Sequence, residues 1–332
     1  MVSDDLIQSA VDTCLDDTGF LNFGGRRKGK VRDIFDLGTE LLLVTTDRLS
    51  AFDRIIATIP FKGQVLNKVS AFWFNETQDI VPNHVVSVPD PNVTIARKCR
   101  VLPIEFVVRG YLTGSTDTSA WTLYSRGMRT ICGNQLPDGM VKNQSFEQPI
   151  LTPTTKSDVH DESISVDEIL TRGMIEQPVL EKAAAAALNL FGRGQEIAGE
   201  NGLILVDTKY EFGLDESGDV TLIDEIHTPD SSRYWIADTY EDRFGRGLEP
   251  ENIDKEFIRL WFREHCDPYR DEVVPPAPVD LVVELSRRYI RLYEMITGHS
   301  FEAGQTGSVK ERIISNLKKA GLNERFCCHE TE

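Results

Sequence analysis

The sequence predicts a mixed α and β fold (α+β), β-rich at the front and helical at the end. Three observations carry this. Short apolar runs bounded by turn residues recur up to residue 223, an alanine-rich helical segment interrupts them, and the last hundred residues look helical, with apolar side chains spaced by threes and fours from Val282 to Ile296.

Residues 41–46, Leu-Leu-Leu-Val-Thr-Thr, read as a buried strand, and residues 104–108 as another. A long helix is expected from Val179 to about Ala198, with the alanine run at 183–187 at its centre and Pro178 just before it. Alanine gives up least on entering a helix, and proline is tolerated in the first turn. Residues 203–206 and 220–223 read as strands, and Asp-Glu-Ser-Gly-Asp at 215–219 supplies the turn that makes them a hairpin. Val282, Leu285, Tyr289, Leu292, Tyr293 and Ile296 mark one face of a later helix, and its aromatic members read as core rather than as a ligand stack. Pro-Pro-Ala-Pro at 275–278 precedes that helix and reads as a stiff surface loop.

The 332 residues suggest about two domains. A 40% hydrophobic and 27% charged composition belongs to an ordinary soluble globular chain. No run approaches the ~18 apolar residues of a membrane span, and the acidic N-terminus lacks the layout of a signal peptide, so the expected location is the cytosol. The six cysteines form no CxxC pair and no zinc-ligand spacing, which suits reduced thiols; Cys327-Cys328 reads as part of a loose polar end. A formal charge of −17 argues against broad nucleic-acid binding. It also makes the local cluster Arg26, Arg27, Lys28, Lys30 and Arg32 informative, either as a site for a small polyanion or as a solvated charge run.

The common nucleotide signatures GxxxxGK[ST] and GxGxxG are missing, as are HExxH and GxSxG. Any bound phosphates must therefore be held by lysines on a hairpin and by acidic residues carrying a metal. Residues 28–35 offer the first part: Gly29 permits close backbone approach, and Lys30 and Arg32 would share one side of a strand. Residues 205–213 offer the second, because strand periodicity puts Asp207, Lys209 and Glu211 on one face. A hairpin closing at Glu216-Ser217 would place Asp224 opposite Lys209 and close to Glu211. Two such carboxylates suit Mg²⁺, whereas a solvent-facing ladder would gain only ~0.2–1 kcal/mol from its ion pairs. The apolar flanks favour the metal, since burying several charges without a partner is costly.

The polar stretch 227–235, His-Thr-Pro-Asp-Ser-Ser-Arg-Tyr-Trp, follows directly, and its hydroxyls and Arg233 could clasp an anion or form an ordinary turn. Earlier in the chain, a strand delivers Arg109 at its end and Ser115 follows in a Gly-Ser turn. That pattern reads equally as an anion clamp or as an arginine paired with a structural acid.

Five of these blocks, in this order, resemble the SAICAR synthetases. They are residues 29–33, 46–53, 102–115, 205–213 and 224–233, covering most of the chain between about 25 and 235. The resemblance is to the single-function form, without a fused carboxylase domain. It implies an ATP-grasp-like fold, with a nucleotide-phosphate-binding domain over residues 1–120 and a larger domain over 121–332 that carries the metal hairpin and C-terminal helices. It further implies ATP-driven condensation of L-aspartate with the imidazole nucleotide CAIR, giving SAICAR, ADP and phosphate in purine biosynthesis. Carried over by position, Lys30 and Arg32 would contact ATP phosphates, while Glu211 and Asp224 would hold Mg²⁺ at the nucleotide. Arg109, Ser115 and Arg233 would bind CAIR, with Lys156, Ser50 and Asp53 near the substrates. Asp207 and Lys209 are the catalytic candidates, Lys209 as a general base. The partners implied are small molecules, with neither nucleic acid nor membrane, and the chain is expected to be a monomer.

Two other classes stay in view. Glu211-Phe212-Gly213 superficially resembles a kinase metal motif, although no His-Arg-Asp loop accompanies it. A nucleotide-binding module without turnover is the second, against which the intact set Lys30, Arg109, Glu211, Asp224 and Arg233 stands.

Overall fold

In the computed structural model, two antiparallel sheets organise the chain, and each anchors one of two compact units. The structure describes residues 2–52, 54–156, 162–253, 256–303 and 308–322, apart from the side chain of Glu256.

The first unit comprises residues 1–72, 84–98 and 254–332. Its five-stranded sheet runs in the order Arg27–Lys28, Arg32–Asp36, Glu40–Thr45, Val93–Arg97, Val85–Asp90. Phe35, Leu42, Val44, Val93 and Ile95 alternate onto one face and pack with Leu15, Leu21 and Phe23. Ile313 and Leu317, one turn apart on the helix Val309–Lys319, complete that core. The helix Val279–Thr297 buries Val282, Leu285, Tyr289, Leu292, Tyr293 and Ile296, the face expected from their spacing.

The second unit comprises residues 73–83 and 99–253. Its six-stranded sheet has Arg100–Tyr111 and Leu203–Leu214 at its centre. Both strands extend well beyond the expected apolar runs. In the first, Leu102, Ile104, Phe106, Val108 and Gly110 are buried in strict alternation, a period that sets a strand's length better than a continuous apolar run does. The hairpin of Leu203–Leu214 with Val220–Ile223 is present. The helix Gln177–Glu200 buries Leu180, Ala183, Ala187, Leu190, Phe191, Gly194 and Ala198 at three- and four-residue steps, and Pro178 sits in its first turn.

These units do not follow a division at residue 120. Arg100–Tyr111 is register-paired with Leu203–Leu214 from Leu214↔Arg100 to Asp207↔Arg109, so a cut at 120 would split one sheet. The described helices after residue 254 belong to the same unit as the N-terminal sheet, for which Ile313 and Leu317 supply core. Among the described residues Cys14, Cys99, Cys132 and Cys266 form no disulfide, while Cys327 and Cys328 lie outside the described residues. Among the described residues, no helix is long and apolar enough to cross a membrane.

Candidate active site

Arg109, Asp207, Lys209 and Glu211 lie along the two central strands of the second unit. Asp207 has Arg109 as register partner on one side and Arg233 on the other. Its Oδ2 stands 3.6 Å from Nη1 of Arg109 and 3.3 Å from Nη1 of Arg233. Arg109 Nε also donates to Thr152 Oγ1 at 2.9 Å. Two guanidiniums against one carboxylate leave a formal positive charge in a partly buried place, which suits an anionic ligand. Burial pushes the Arg109 pKa down; Asp207 opposes that and Arg233 adds to it.

Two and four residues further along, the same strand presents Lys209 and Glu211. Lys209 Nζ donates to Glu105 at 2.8 Å and to Glu211 at 2.6 Å, and Lys156 pairs with the other oxygen of Glu211. Burial alone would lower the Lys209 pKa, but Glu211, Asp224 and Glu105 outweigh it and hold the amine well above its ordinary value. In this arrangement Lys209 joins carboxylates, the role its two hydrogen bonds describe.

Asp224 follows the strand Val220–Ile223. The register is Glu211↔Ile223, one residue away from the expected pairing, and would set Asp224 beside Tyr210 rather than Lys209. A one-residue slip reverses a side chain's face. Asp224 leaves the ladder instead: its backbone is left-handed, with φ 68°, and its charge still acts on Lys209.

Among the described residues, no group of three or more His, Cys, Asp or Glu side chains forms a ready metal cage. The donors present still fit Mg²⁺, which takes one or two carboxylates and completes its shell with water and phosphate oxygens. Glu211 and Asp224 are such a pair, and two lysines against Glu105, Glu211 and Asp224 leave the cluster formally −1.

The hydroxyls of the 227–235 stretch are spent internally. Thr228 Oγ1 donates to Glu225 at 2.9 Å and accepts the amides of Asp230 and Ser231, while Ser231 Oγ accepts the Thr228 amide. Ser232 is bonded to Thr208 at 2.7 Å. These hydroxyls shape the loop, and Arg233 is its cation.

In the first unit, the basic segment forms a hairpin with Lys28↔Asp33 in register. Lys30 lies in its exposed turn, not on a strand beside Arg32, which begins the returning strand. Gly29 is required there: a Cβ would stand 2.6 Å from the carbonyl oxygen of Arg32. Buried Arg48 fastens the turn by donating to the carbonyls of Lys30, Gly29 and Asp16 at 3.2, 3.0 and 2.6 Å and to Asp33 at 2.6 Å. Asp33 also receives Arg26 at 2.8 Å and Thr18 at 2.6 Å. Ser50 sits, part-buried, on Arg48–Ala51 where its register with Arg54–Thr58 shifts. Asp53 lies outside the described residues. In the second unit, Ser115 is on the exposed loop after Tyr111.

The structure thus brings Arg109, Asp207 and Arg233 together, and likewise Lys156, Lys209 and Glu211. It adds two residues that sequence reasoning missed. Glu105 shares a strand face with Arg109, a period-two signal that was there to be read. Arg48 had no signal beyond its place in the 46–53 block.

The sequence pattern of the SAICAR synthetase family matches residues 26–276. A phosphoribosylaminoimidazole-succinocarboxamide synthase of Legionella pneumophila is 58% identical over 307 residues, covering 92% of this chain and 98% of its own. A chloroplastic synthase of the same description from Arabidopsis thaliana is 58% identical over 319 residues, covering 95% of this chain and 78% of its own. Among solved structures, the SAICAR synthase of Saccharomyces cerevisiae complexed with SAICAR is similar at TM-score 0.72 and 32% identity, covering 87% of this chain and 98% of its own. A type-2 SAICAR synthetase in complex with ADP is similar at TM-score 0.64 and 26% identity, covering 84% of this chain and all (100%) of its own.

Proposed function

The chain belongs to the SAICAR synthetase family, and on that premise we propose how its residues carry the family reaction. That reaction is the ATP-dependent ligation of L-aspartate to CAIR in purine biosynthesis, with ATP as substrate and SAICAR, ADP and phosphate as products.

A carboxylate resists an amine because its charge is delocalised and oxide is a poor leaving group. In our reading, the CAIR carboxylate oxygen takes the γ-phosphoryl of ATP and ADP leaves. The aspartate amine then attacks the acyl carbon, the C–N bond forms, and phosphate departs with that oxygen and the bonding pair. Such chemistry needs positioning and charge neutralisation more than a protein nucleophile.

The observation that carries this reading is Asp207 between Arg109 and Arg233, two residues from the Lys209 carboxylate cluster on one strand. Arg109 and Arg233 hold the anionic groups of CAIR, and Asp207 orients both guanidiniums. Lys30 and Arg32 meet the ATP phosphates, with the turn kept rigid by Arg48. Glu211 and Asp224 would hold Mg²⁺, which when bound neutralises phosphate charge during transfer. Lys156 and Lys209 keep the carboxylates apart and oriented. Ser115, Ser50 and Asp53 are assigned to the substrates on position alone. We take the working unit as a cytosolic monomer that binds neither nucleic acid nor membrane.

The test is ADP release with ATP, Mg²⁺ and CAIR, with and without L-aspartate, alongside mass spectrometry of the product. Release that needs every component and yields the aspartyl amide supports the reading. A stable phosphorylated product formed without aspartate would replace it with a kinase.

A further inference from the structure

His227, Tyr210, Tyr234 and Trp73 are fully buried, and none has a part in the reaction as read above. His227 adopts a left-handed backbone, φ 50°, which a histidine keeps only where its surroundings hold it. Four contacts do so. Its Nε2 is bonded to the Tyr210 hydroxyl at 2.5 Å, and its carbonyl accepts the Tyr234 hydroxyl at 2.8 Å. Its ring lies edge-to-face with Trp73, the centroids 4.6 Å apart. The helix Gln177–Glu200 presses on the ring at Gly194, where a Cβ would fall 2.5 Å from His227 Cε1 and 2.6 Å from Leu205 Cδ2.

The partners matter for where they stand in the chain. Tyr210 lies between Lys209 and Glu211, and Tyr234 directly follows Arg233. His227 belongs to the loop that runs from Asp224 to the strand Ser232–Ile236, on which Arg233 stands. Among the described residues its Nδ1 has no hydrogen-bond partner despite burial, an arrangement that costs energy. Burial also pushes the imidazole pKa down to about 3, so the ring stays neutral in its apolar surroundings. An imidazole kept at this expense, in a strained backbone, with glycine reserved opposite it, is a spacer of fixed shape rather than filler.

We infer that His227 is a positioning residue: bonded to Tyr210 through its ring and to Tyr234 through its carbonyl, it sets the segment between Asp224 and the strand Ser232–Ile236 so that Asp224 and Arg233, at its two ends, meet their substrates together. This rests on the assignment of Asp224 to the nucleotide side and Arg233 to CAIR made above. One residue for each substrate stands at either end of that loop, so a single displaced anchor disturbs both.

Two variants leave every charged residue in place. Tyr210→Phe removes one hydroxyl and no ring, and Gly194→Ala displaces the imidazole sterically. Each is expected to raise KM for ATP and for CAIR by about tenfold, while the folded state persists at the assay temperature. His227→Gln, whose amide reaches the Nε2 position, is expected to be less impaired than His227→Leu. A purely structural role would lower the unfolding temperature and leave both KM values unchanged, and that result in folded Tyr210→Phe overturns the inference. Tyr210→Phe keeps the test open should Gly194→Ala fail to fold. Asp224→Asn and Arg233→Lys are assayed in parallel. If these are impaired while Tyr210→Phe is normal, only the positioning role fails; if they too are normal, the site assignment beneath it fails with it.

Discussion

Glu105 and Glu211 are direct register partners on adjacent antiparallel strands, and the Lys209 ammonium donates to both. Like charges so placed repel, and the lysine turns the repulsion into a bridge. Lys209→Met should therefore destabilise the fold by about 1–3 kcal/mol, discounted for the partial exposure of all three side chains. Adding Glu105→Gln should recover part of that loss. Urea unfolding of both single variants and the double variant checks this, and strict additivity would mean that Lys209 and Glu105 do not interact.

Asp207 receives two guanidiniums from two different strands. Asp207→Asn keeps the shape but removes the charge that orients both arginines. It should cost more in CAIR KM than in ATP KM, with the total fall in kcat/KM about a hundredfold. Arg109→Lys should cost one to two decades, roughly the difference between a planar fork and a point charge. Steady-state kinetics with each nucleotide varied in turn makes the comparison, and near-normal activity in Arg109→Lys would remove that residue from the site.

Periodicity made much of this legible, and register made the rest obscure. Asp207, Lys209 and Glu211 on one face follow from a period of two. That Asp207 would lie between Arg109 and Arg233 does not, because the three come from strands whose pairing is set by distant turns and bulges. Asp224 was misplaced by one residue because the turn takes the five residues 215–219, with Leu214 paired to Val220, and its own left-handed backbone then carries it off the ladder. The helix Val279–Thr297 is legible from its apolar face, but a face does not name the unit it joins, and the helix Val309–Lys319 was not read at all. Ile313 and Leu317 close the N-terminal sheet, against the division expected at residue 120. Arg48 escaped notice because its partners are mostly backbone carbonyls, which leave no mark in sequence.

Arg48 is buried with Asp33 and fastens the Gly29-Lys30 turn. Arg48→Met leaves Asp33 with Arg26 and Thr18 but frees both carbonyls. The expected cost is about 3–5 kcal/mol, as for a broken buried ion pair. Arg48→Lys retains the charge without the fork and should fold better, yet still show a raised KM for ATP through a looser turn. Calorimetric unfolding with ATP kinetics on the lysine variant tests this, and an unchanged KM would separate the turn from the phosphates.

His227 gives the stability of the fold a sign with pH. Its folded pKa is lowered by burial to about 3 against an ordinary value near 6.5, so between those limits the unfolded chain takes up a proton that the folded chain refuses. Its contribution is intact above about pH 6.5 and declines as pH falls, by at most ~1.4 kcal/mol per pH unit. Asp47 runs the other way. Burial raises its pKa to about 6, against the amides of Gly63 and Leu15 that lower it, so its contribution declines as pH rises from about 4 to 6. The two oppose each other across that window, and the wild-type profile alone would conceal both. The comparison with His227→Gln isolates the histidine, since Asp47 is common to both chains. The stability difference between wild type and variant should shrink steadily as pH falls from 7 to 4, read by urea unfolding at each pH. A difference that stays constant would mean that His227 carries its proton in the folded state, and the neutral, shape-fixing imidazole would have to be abandoned.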